Sequence, residues 1–298
     1  PPPPPPPPPP QNLRRQRQMC IRDSAATLEG VGSWRDIGDD GRMHALTGAG
    51  LIGRFTSFST LLADPLNLKY RGHLFRGGNK VCMSDFAITS ANHTFHVPTL
   101  LLVGSSMSAG KTTVGRRVCK ELDRAGFHVI GAKLAGAGRY RDILSFLKTG
   151  ATEIFDFVDA GLPSTVVSES DYRAAIRPLL SHIENLRPDF VVVEAGASPL
   201  EPYNGAALMD ELGDNIVCTI LCASDPYAVV GVEQAFGLRP DLVTGPATQT
   251  SAAVELVRKL TGLRGINIID PDAKGLFRTF LADHLGLVNA GGQIKIAR

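Results

Sequence analysis

The chain has 298 residues, of which 43% are hydrophobic and 20% charged, a balance typical of a globular protein with one or two domains. Its 31 Lys and Arg residues nearly offset 29 Asp and Glu residues, and the formal net charge of +2 gives no global basicity that would indicate a nucleic-acid partner. No apolar stretch is long enough to span a bilayer, so we expect neither nucleic acid nor a membrane among the partners.

The five cysteines are an odd number and form no Cys-x-x-Cys pair, which is typical of reduced thiols and predicts a cytoplasmic protein. Cys218 and Cys222 lie in one apolar run, where packing in the core is favoured over metal binding.

Residues 1–24 open with a run of prolines, which would form an extended polyproline helix with no means of packing. The segment that follows, through Ser24, looks like translated read-through of a sequencing adapter. We therefore expect residues 1–24 to be disordered and not native. A disordered proline-rich tail is the alternative, and both interpretations predict no fixed structure there.

Residues 25–97 predict a small N-terminal α+β module. Residues 70–88 are typical of short strands with a turn at Gly77-Gly78. Residues 47–53 contain Gly-x-Gly-x-x-Gly, but no convincing strand precedes it and no acidic residue is placed for a ribose. A glycine-rich turn is therefore favoured over a dinucleotide site. The role of the module stays open between a lid, a substrate domain and an interaction surface.

From residue 98, apolar and amphipathic segments alternate, which predicts an α/β domain over residues 98–298. Its doubly wound, mostly parallel sheet should bind ligands at the carboxyl ends of the strands. Strands are predicted at 100–103, 127–132, 153–158, 190–193, 216–223, 241–244 and 266–269. Helices are predicted at 112–125, 141–149, 171–186 and 251–260.

The strongest motif follows directly after the apolar run at 99–103. It comprises Gly104, Ser105, Ser106, Met107, Ser108, Ala109, Gly110, Lys111, Thr112 and Thr113. A buried strand that breaks into a glycine-bounded turn ending in Gly-Lys-Thr-Thr is a P-loop, whose backbone N–H groups converge on phosphate oxygens. Lys111 is placed to reach the β- and γ-phosphates, and the Thr112 hydroxyl to ligate Mg²⁺. The expected cofactors are a nucleoside triphosphate and Mg²⁺.

Two further residues are predicted beside this loop. Lys133 follows the second strand in a glycine-containing turn, where a cation would neutralise charge developing on a γ-phosphoryl group; the alternative is a surface lysine. Glu194 ends a wholly apolar strand, as the acidic residue of a Walker B strand does, and would supply oxygen to Mg²⁺ together with Thr112. The alternative for Glu194 is a strand-capping glutamate.

Five residues separate Gly104 from Gly110, one more than in the common P-loop. With this spacing and the Lys133 and Glu194 motifs, roughly residues 98–270 resemble the dethiobiotin synthetase and cobyrinic or cobyric acid synthase group of P-loop enzymes. The resemblance implies an ATP- and Mg²⁺-dependent ligase that activates a small carboxylate-like acid by phosphoryl transfer. It implies Lys111, Lys133 and Glu194 as catalytic residues, with Lys133 contacting the substrate. A similarity to DUF1611-type proteins, which pair a small N-terminal domain with such a loop, assigns no substrate.

Further charged residues near these motifs have less specific roles. The resemblance makes Asp142 a candidate third metal ligand, because the related enzymes place an aspartate after the lysine turn, although the interval is shorter here. Asp156 and Asp159 either face the site or are solvated loop aspartates. Arg139 and Arg141 either bind an acidic substrate or form plain surface charge.

The segment after the predicted strand at 241–244 lacks the Asn-Lys-x-Asp signature of GTPases, which favours ATP over GTP. No lysine lies between Gly104 and Gly110, which argues against dimeric MinD/ParA-type ATPases. The alternative function is a nucleotide-dependent switch or an accessory protein for cofactor biosynthesis, similar to molybdopterin-guanine dinucleotide accessory proteins. A homodimer is left open.

Overall fold

The computed structural model describes residues 21–22, 25–26, 30–47, 50–61, 63–90, 94–138, 140–196, 198–290 and 293–296. Within the segment 1–24, Ile21–Arg22 forms a short strand, and the other residues lie outside the described ranges. The disorder expected for this segment therefore stays a prediction. Gly48 and Ala49 of the glycine-rich turn also lie outside the described residues.

The N-terminal module is built on a six-stranded sheet with the order β2-β3-β5-β4-β6, in which β1 pairs with β5. Its strands are β1 (Ile21–Arg22), β2 (Ala25–Ala26), β3 (Gly30–Ser33), β4 (Arg42–Ala45), β5 (Leu51–Phe58) and β6 (Asn67–Lys69). All pairings are antiparallel except that of β1. A hairpin of β7 (Phe75–Arg76) and β8 (Asn79–Lys80) follows, and Gly77 and Gly78 take positive φ in its turn, as predicted.

A second six-stranded sheet, the large sheet, follows with the order β11-β10-β12-β9-β13-β14. Its strands are β9 (Thr99–Gly104), β10 (Val129–Ala135), β11 (Glu153–Asp156), β12 (Phe190–Ala195), β13 (Ile216–Cys222) and β14 (Leu242–Thr244). Every pairing is parallel. Buried on both faces, these strands are nearly continuous apolar runs, as expected for a parallel sheet covered by helices.

Helices cover both faces of the large sheet and confirm the doubly wound α/β fold. They are α1 (Lys111–Arg124), α2 (Tyr140–Leu147), α3 (Glu169–Asn185), α4 (Gly205–Leu212), α5 (Pro226–Phe236), α6 (Ser251–Thr261) and α7 (Lys274–His284). One core contains side chains from α3, α4, α5 and α6, and the other contains side chains from α1, α2 and α7. Successive residues of β9 alternate between these cores: Leu101 packs in the first and Leu102 in the second.

The strand predicted at 266–269 is wrong. There the structure has only an isolated bridge between Val243 and Gly265, after which Asn267 caps a turn through its side chain. Ile266 and Ile268 are buried in the second core without a strand ladder, so their apolar alternation reflects burial alone. The described chain ends in a hairpin of β15 (Leu287–Ala290) and β16 (Gln293–Ile296).

The segment that connects the two sheets packs on the large one. Phe95 and Val97 belong to the first core, and the Ile88 N–H donates to the Asp159 carbonyl at 2.7 Å. The domain boundary after residue 97 stays a prediction. Among the described residues, no helix has the length and apolar content that a membrane span requires.

Candidate functional site: the P-loop and a row of charged residues

The P-loop lies between β9 and α1, at the carboxyl end of the large sheet. A Cβ at Gly104 would collide with the Lys111 ammonium and lie 2.8 Å from the Ser106 carbonyl oxygen. Only glycine at this position leaves room for both the Lys111 side chain and the loop backbone. Gly110 precedes α1 with a φ of 99°, in the left-handed region. The two glycines that bound the motif are therefore required by this backbone path. Met107, Ser108 and Thr113 are exposed at its tip and exit.

Lys111 is folded into the loop that it terminates. Its Nζ donates to the Ser106 carbonyl at 2.7 Å, and only 3% of the residue is exposed. Burial lowers the pKa of Lys111, while the nearby Glu194 carboxylate acts in the opposite direction. An anion bound in the loop would favour the charged ammonium, so this lysine is suited to a phosphate ligand.

The loop is fixed to the ends of β13 and β14. The Ser105 N–H donates to the Cys222 carbonyl at 2.9 Å, and the Ser105 hydroxyl accepts a hydrogen bond of 3.0 Å from the Ser224 N–H. A Cβ on Gly245, directly after β14, would lie 2.6 Å from the Ala109 carbonyl oxygen. The backbone that would receive phosphate oxygens is thus held by neighbouring strands.

Thr112 links the P-loop to β12. Its hydroxyl donates to Glu194 Oε2 at 2.9 Å, and Glu194, near the end of β12, is 3% exposed. A hydroxyl and a carboxylate oxygen side by side are the ligands that Mg²⁺ prefers. The donor set therefore fits the predicted metal.

Three charged residues lie in register across β11, β10 and β12: Asp156 is opposite Lys133, and Lys133 is opposite Glu194. We call these three strands the charged half of the sheet. On β9, β13 and β14 the same row continues as Leu102, Ile220 and Leu242, and we call these strands the apolar half. Residues in register on parallel strands share a face, so the charged row faces the side covered by α1 and α2.

Lys133 is held between two carboxylates. Its Nζ lies 2.8 Å from Asp142 Oδ2 on α2 and 3.6 Å from Glu194 Oε1. Burial alone would lower the pKa of Lys133, but the carboxylates of Glu194 and Asp142 outweigh it and raise the pKa. Lys133 is 6% exposed, which is inconsistent with an ordinary surface lysine, and its ammonium carries a fixed buried positive charge.

Other predicted residues are placed less simply. Asp142 contacts Lys133, and its role as a metal ligand stays a prediction. Asp156 and Asp159 are each 2% exposed, so the interpretation as solvated aspartates is wrong. Both cap the turn after β11: Asp156 Oδ1 accepts from the Val158 N–H, and Asp159 Oδ2 accepts from the Asp156 N–H. Arg141 is exposed, and Arg139 lies outside the described residues.

Sequence reasoning missed the residues that join the loops after β10, β11 and β12. The Thr165 hydroxyl accepts from the Gly136 N–H at 2.8 Å and donates to the Tyr203 carbonyl at 2.6 Å. The Asn204 amide donates to the Thr165 carbonyl at 2.8 Å. None of these three polar residues belongs to a recognisable motif, and only the glycine turn at Gly136 gave a signal.

Glu201 is a second residue that the sequence did not indicate. It lies in the loop between β12 and α4, accepts a hydrogen bond from the Ser198 N–H, and its charge opposes the lowering of the Lys111 pKa by burial. The charges of Glu194 and Glu201 therefore both favour the protonated form of the buried Lys111. No pattern of spacing links Glu201 to the P-loop, so only the folded chain reveals this neighbour.

Comparisons with known proteins add little to this geometry. No family model matches the chain, and no curated protein sequence matches it significantly. Solved structures that match part of the chain include the chloroplast FtsY from Physcomitrella patens, at 15% identity and a TM-score of 0.41, over 61% of this chain and 62% of that one. A ParA family ATPase from Chlorobium tepidum TLS shares 14% identity at a TM-score of 0.35, over 62% and 92% of the two chains.

The signal recognition particle receptor FtsY from Elizabethkingia anophelis shares 15% identity at a TM-score of 0.36, over 61% of this chain and 60% of that one. The aligned part therefore spans less than two thirds of either FtsY chain. TM-scores below 0.5 do not establish the fold or the function of this chain. Its P-loop NTPase fold follows from the strand order, the parallel register and the loop between β9 and α1.

Proposed function

We propose that the chain binds MgATP on the P-loop and transfers the γ-phosphoryl group to an oxygen of a small carboxylate-like acid. The observation that carries the proposal is Lys133, a second buried ammonium that extends from β10, beyond the Walker B strand β12 as seen from the loop. A nucleotide-binding loop needs only its own lysine to hold phosphate. A second fixed cation on the far side of Glu194 suits the transfer of that phosphate to an acceptor.

In the proposed reaction an oxygen of the substrate carboxylate attacks the γ-phosphorus. The bond from the γ-phosphorus to the bridging oxygen of the β-phosphate breaks, so ADP leaves and an acyl phosphate forms. Lys111 and Lys133 neutralise the charge on the transferring group from two sides. Both ammonium groups are already held by protein oxygens, so little reorganisation is needed when charge develops.

Thr112 and Glu194 would hold Mg²⁺, which when bound neutralises phosphate charge and orients the phosphate oxygens. Asp142 Oδ2 is bound to the Lys133 ammonium at 2.8 Å. Its main proposed role is therefore to position that ammonium. The absence of an Asn-Lys-x-Asp signature supports ATP over GTP, and the motif resemblance to the dethiobiotin synthetase group supports an acid as acceptor.

The test is a screen of small mono- and dicarboxylic acids with the full chain, ATP and Mg²⁺. ADP is measured by a coupled assay, and acyl phosphate is trapped with hydroxylamine. We expect ADP formation that depends on one class of acid and yields hydroxamate in equal amount. Slow hydrolysis that ignores every acid and is stimulated by a protein partner would contradict the proposal and support the nucleotide-dependent switch.

A further inference from the structure

A second cluster of donor groups lies at the amino end of the large sheet, opposite the P-loop. It consists of Cys218 near the start of β13, Asp241 directly before β14 and His284 at the end of α7. The thiol sulfur, a carboxylate oxygen and a ring nitrogen all lie within 4.8 Å of one another. Nothing in the proposed phosphoryl transfer uses these residues.

We propose that Cys218, Asp241 and His284 form a binding site for a zinc-class divalent transition metal, which fastens α7 to the sheet. Sulfur, nitrogen and oxygen ligands together are typical of Zn²⁺, whereas Mg²⁺ and Ca²⁺ take oxygen ligands. Three protein ligands leave a fourth tetrahedral position, which water can fill because the side chains of His284 and Asp241 are 30% and 37% exposed.

The surroundings already orient two of the three donors, Asp241 and His284. Asp241 Oδ2 accepts from the Thr219 N–H at 2.7 Å, which fixes the carboxylate against β13. The ring of His284 stacks on Phe280 with centroids 5.4 Å apart, and its Nε2 lies 3.0 Å from the Val217 carbonyl oxygen. Metal-binding histidines are usually held through the other ring nitrogen, so Nε2, which also lies 3.5 Å from Asp241 Oδ2, would exchange the Val217 carbonyl for the metal.

The strand geometry brings these groups close together. The register of β13 against β9 shifts between Ile216 and Cys218, so the strand is irregular at Val217, beside the His284 ring. Ligand atoms in a tetrahedral zinc site lie about 3.5 Å apart, given bonds of about 2.0–2.3 Å. His284 Nε2 and Asp241 Oδ2 already lie 3.5 Å apart, and since Cys218 is buried in its strand, any adjustment toward the sulfur falls to these two partly exposed side chains.

The experiment titrates Co²⁺, a spectroscopic substitute for Zn²⁺, into the full chain prepared with chelator and without a polyhistidine tag. We expect one equivalent to give a thiolate-to-metal charge-transfer band that Zn²⁺ abolishes. At a free Zn²⁺ concentration about 100 times Kd, the Tm should rise by about 5 °C or more. A wild-type chain with neither band nor Tm shift would overturn the proposal.

Variants locate the site. Cys218→Ala should lose the band, and Asp241→Asn and His284→Gln should each weaken Co²⁺ binding by at least about tenfold. The last two changes are at partly exposed side chains, so they test the site even if the buried Cys218 variant fails to fold. The controls are Cys82→Ser at an exposed thiol and Cys119→Ala at a buried thiol in α1, which should both keep the band. A band that survives Asp241→Asn and His284→Gln unchanged, or that disappears in Cys82→Ser, would overturn the assignment.

Discussion

The charged half and the apolar half of the large sheet meet where β12 pairs with β9. The charged half contributes charged side chains to the candidate site, and the apolar half contributes the backbone of the P-loop. Glu194 on β12 is in register with Leu102 on β9, and from that pair the row is charged in one direction and apolar in the other. The strands of the apolar half end in the P-loop and in the segments that fix it, through Cys222 and Gly245.

We expect the two halves of the sheet to have different roles. In the proposed function, backbone groups at the end of the apolar half would hold the phosphates, and side chains of the charged half would act on the terminal phosphate. Nucleotide affinity should therefore depend on the apolar half and turnover on the charged half. Four substitutions, each with a control, test these different dependences.

The largest effect on nucleotide affinity is expected for Lys111→Ala, at the junction of loop and helix. Without the ammonium, affinity for MgATP should fall about 100-fold, the upper range for hydrogen bonds to a charged group, and turnover should fall with it. Calorimetric titration measures the change. Lys120→Ala, at an exposed lysine of the same helix, is the matched control and should bind normally. Equal affinity in the two variants would remove the P-loop assignment.

Lys133→Met should lower turnover about 100- to 1,000-fold, as when one group that stabilises a transition state is removed, while nucleotide affinity changes only a few-fold. Methionine keeps the bulk of the side chain but leaves the carboxylates of Asp142 and Glu194 without their shared cation. Folding must therefore be checked by circular dichroism. Lys148→Met, at an exposed lysine just after α2, is the control. A variant that loses affinity but keeps turnover would reverse the proposed division between the halves.

Glu194→Gln tests the second charged residue. The amide still accepts the hydrogen bond from Thr112 but carries no charge for Mg²⁺, so turnover should fall about 10- to 100-fold with near-normal nucleotide affinity. The Mg²⁺ concentration that gives half-maximal turnover should rise. Glu153→Gln, at an exposed position of β11, should change neither quantity. Unchanged turnover in Glu194→Gln would exclude this carboxylate from the metal site.

The smallest effect is expected in the apolar half. Within the described part of the chain, the buried Thr244 hydroxyl has no hydrogen-bond partner, so Thr244→Val should raise the free energy of unfolding by about 1 kcal/mol and leave nucleotide affinity unchanged. Thr99→Val is the contrast, because the buried Thr99 hydroxyl donates to the Val97 carbonyl at 2.9 Å. The free energy of unfolding of Thr99→Val, measured by denaturant titration, should fall by about 1 kcal/mol. The same sign for both variants would contradict this explanation.

The parts of the site that could be predicted are those with local signatures. An apolar strand followed by glycines and Gly-Lys-Thr-Thr identifies the P-loop, and the apolar runs before Lys133 and Glu194 identify the charged positions. The predicted position of Lys133 in a turn after the strand was wrong, because β10 extends through Ala135. The pairing of Lys133 with Asp142 could not be predicted, because it depends on how α2 packs against the sheet. The prediction of a strand at 266–269 was wrong because Ile266 and Ile268 are buried in the core without pairing in a sheet.

Contacts between residues that are far apart in the chain could not be predicted from the sequence either. Thr165 bridges Gly136 and Tyr203 through one hydroxyl, and Cys218 meets His284 only because α7 ends beside the bulged start of β13. For Cys218, burial in the core was predicted and is confirmed. Its neighbours Asp241 and His284 could not be inferred from the apolar run in which it lies.

The most direct test of the central proposal is calorimetric titration of the full chain with Mg²⁺ and a non-hydrolysable ATP analogue. We expect one nucleotide per chain, with binding that tightens when Mg²⁺ is added, because Thr112 and Glu194 provide the oxygens for the metal. No binding of either the ATP or the GTP analogue at millimolar concentration would contradict it.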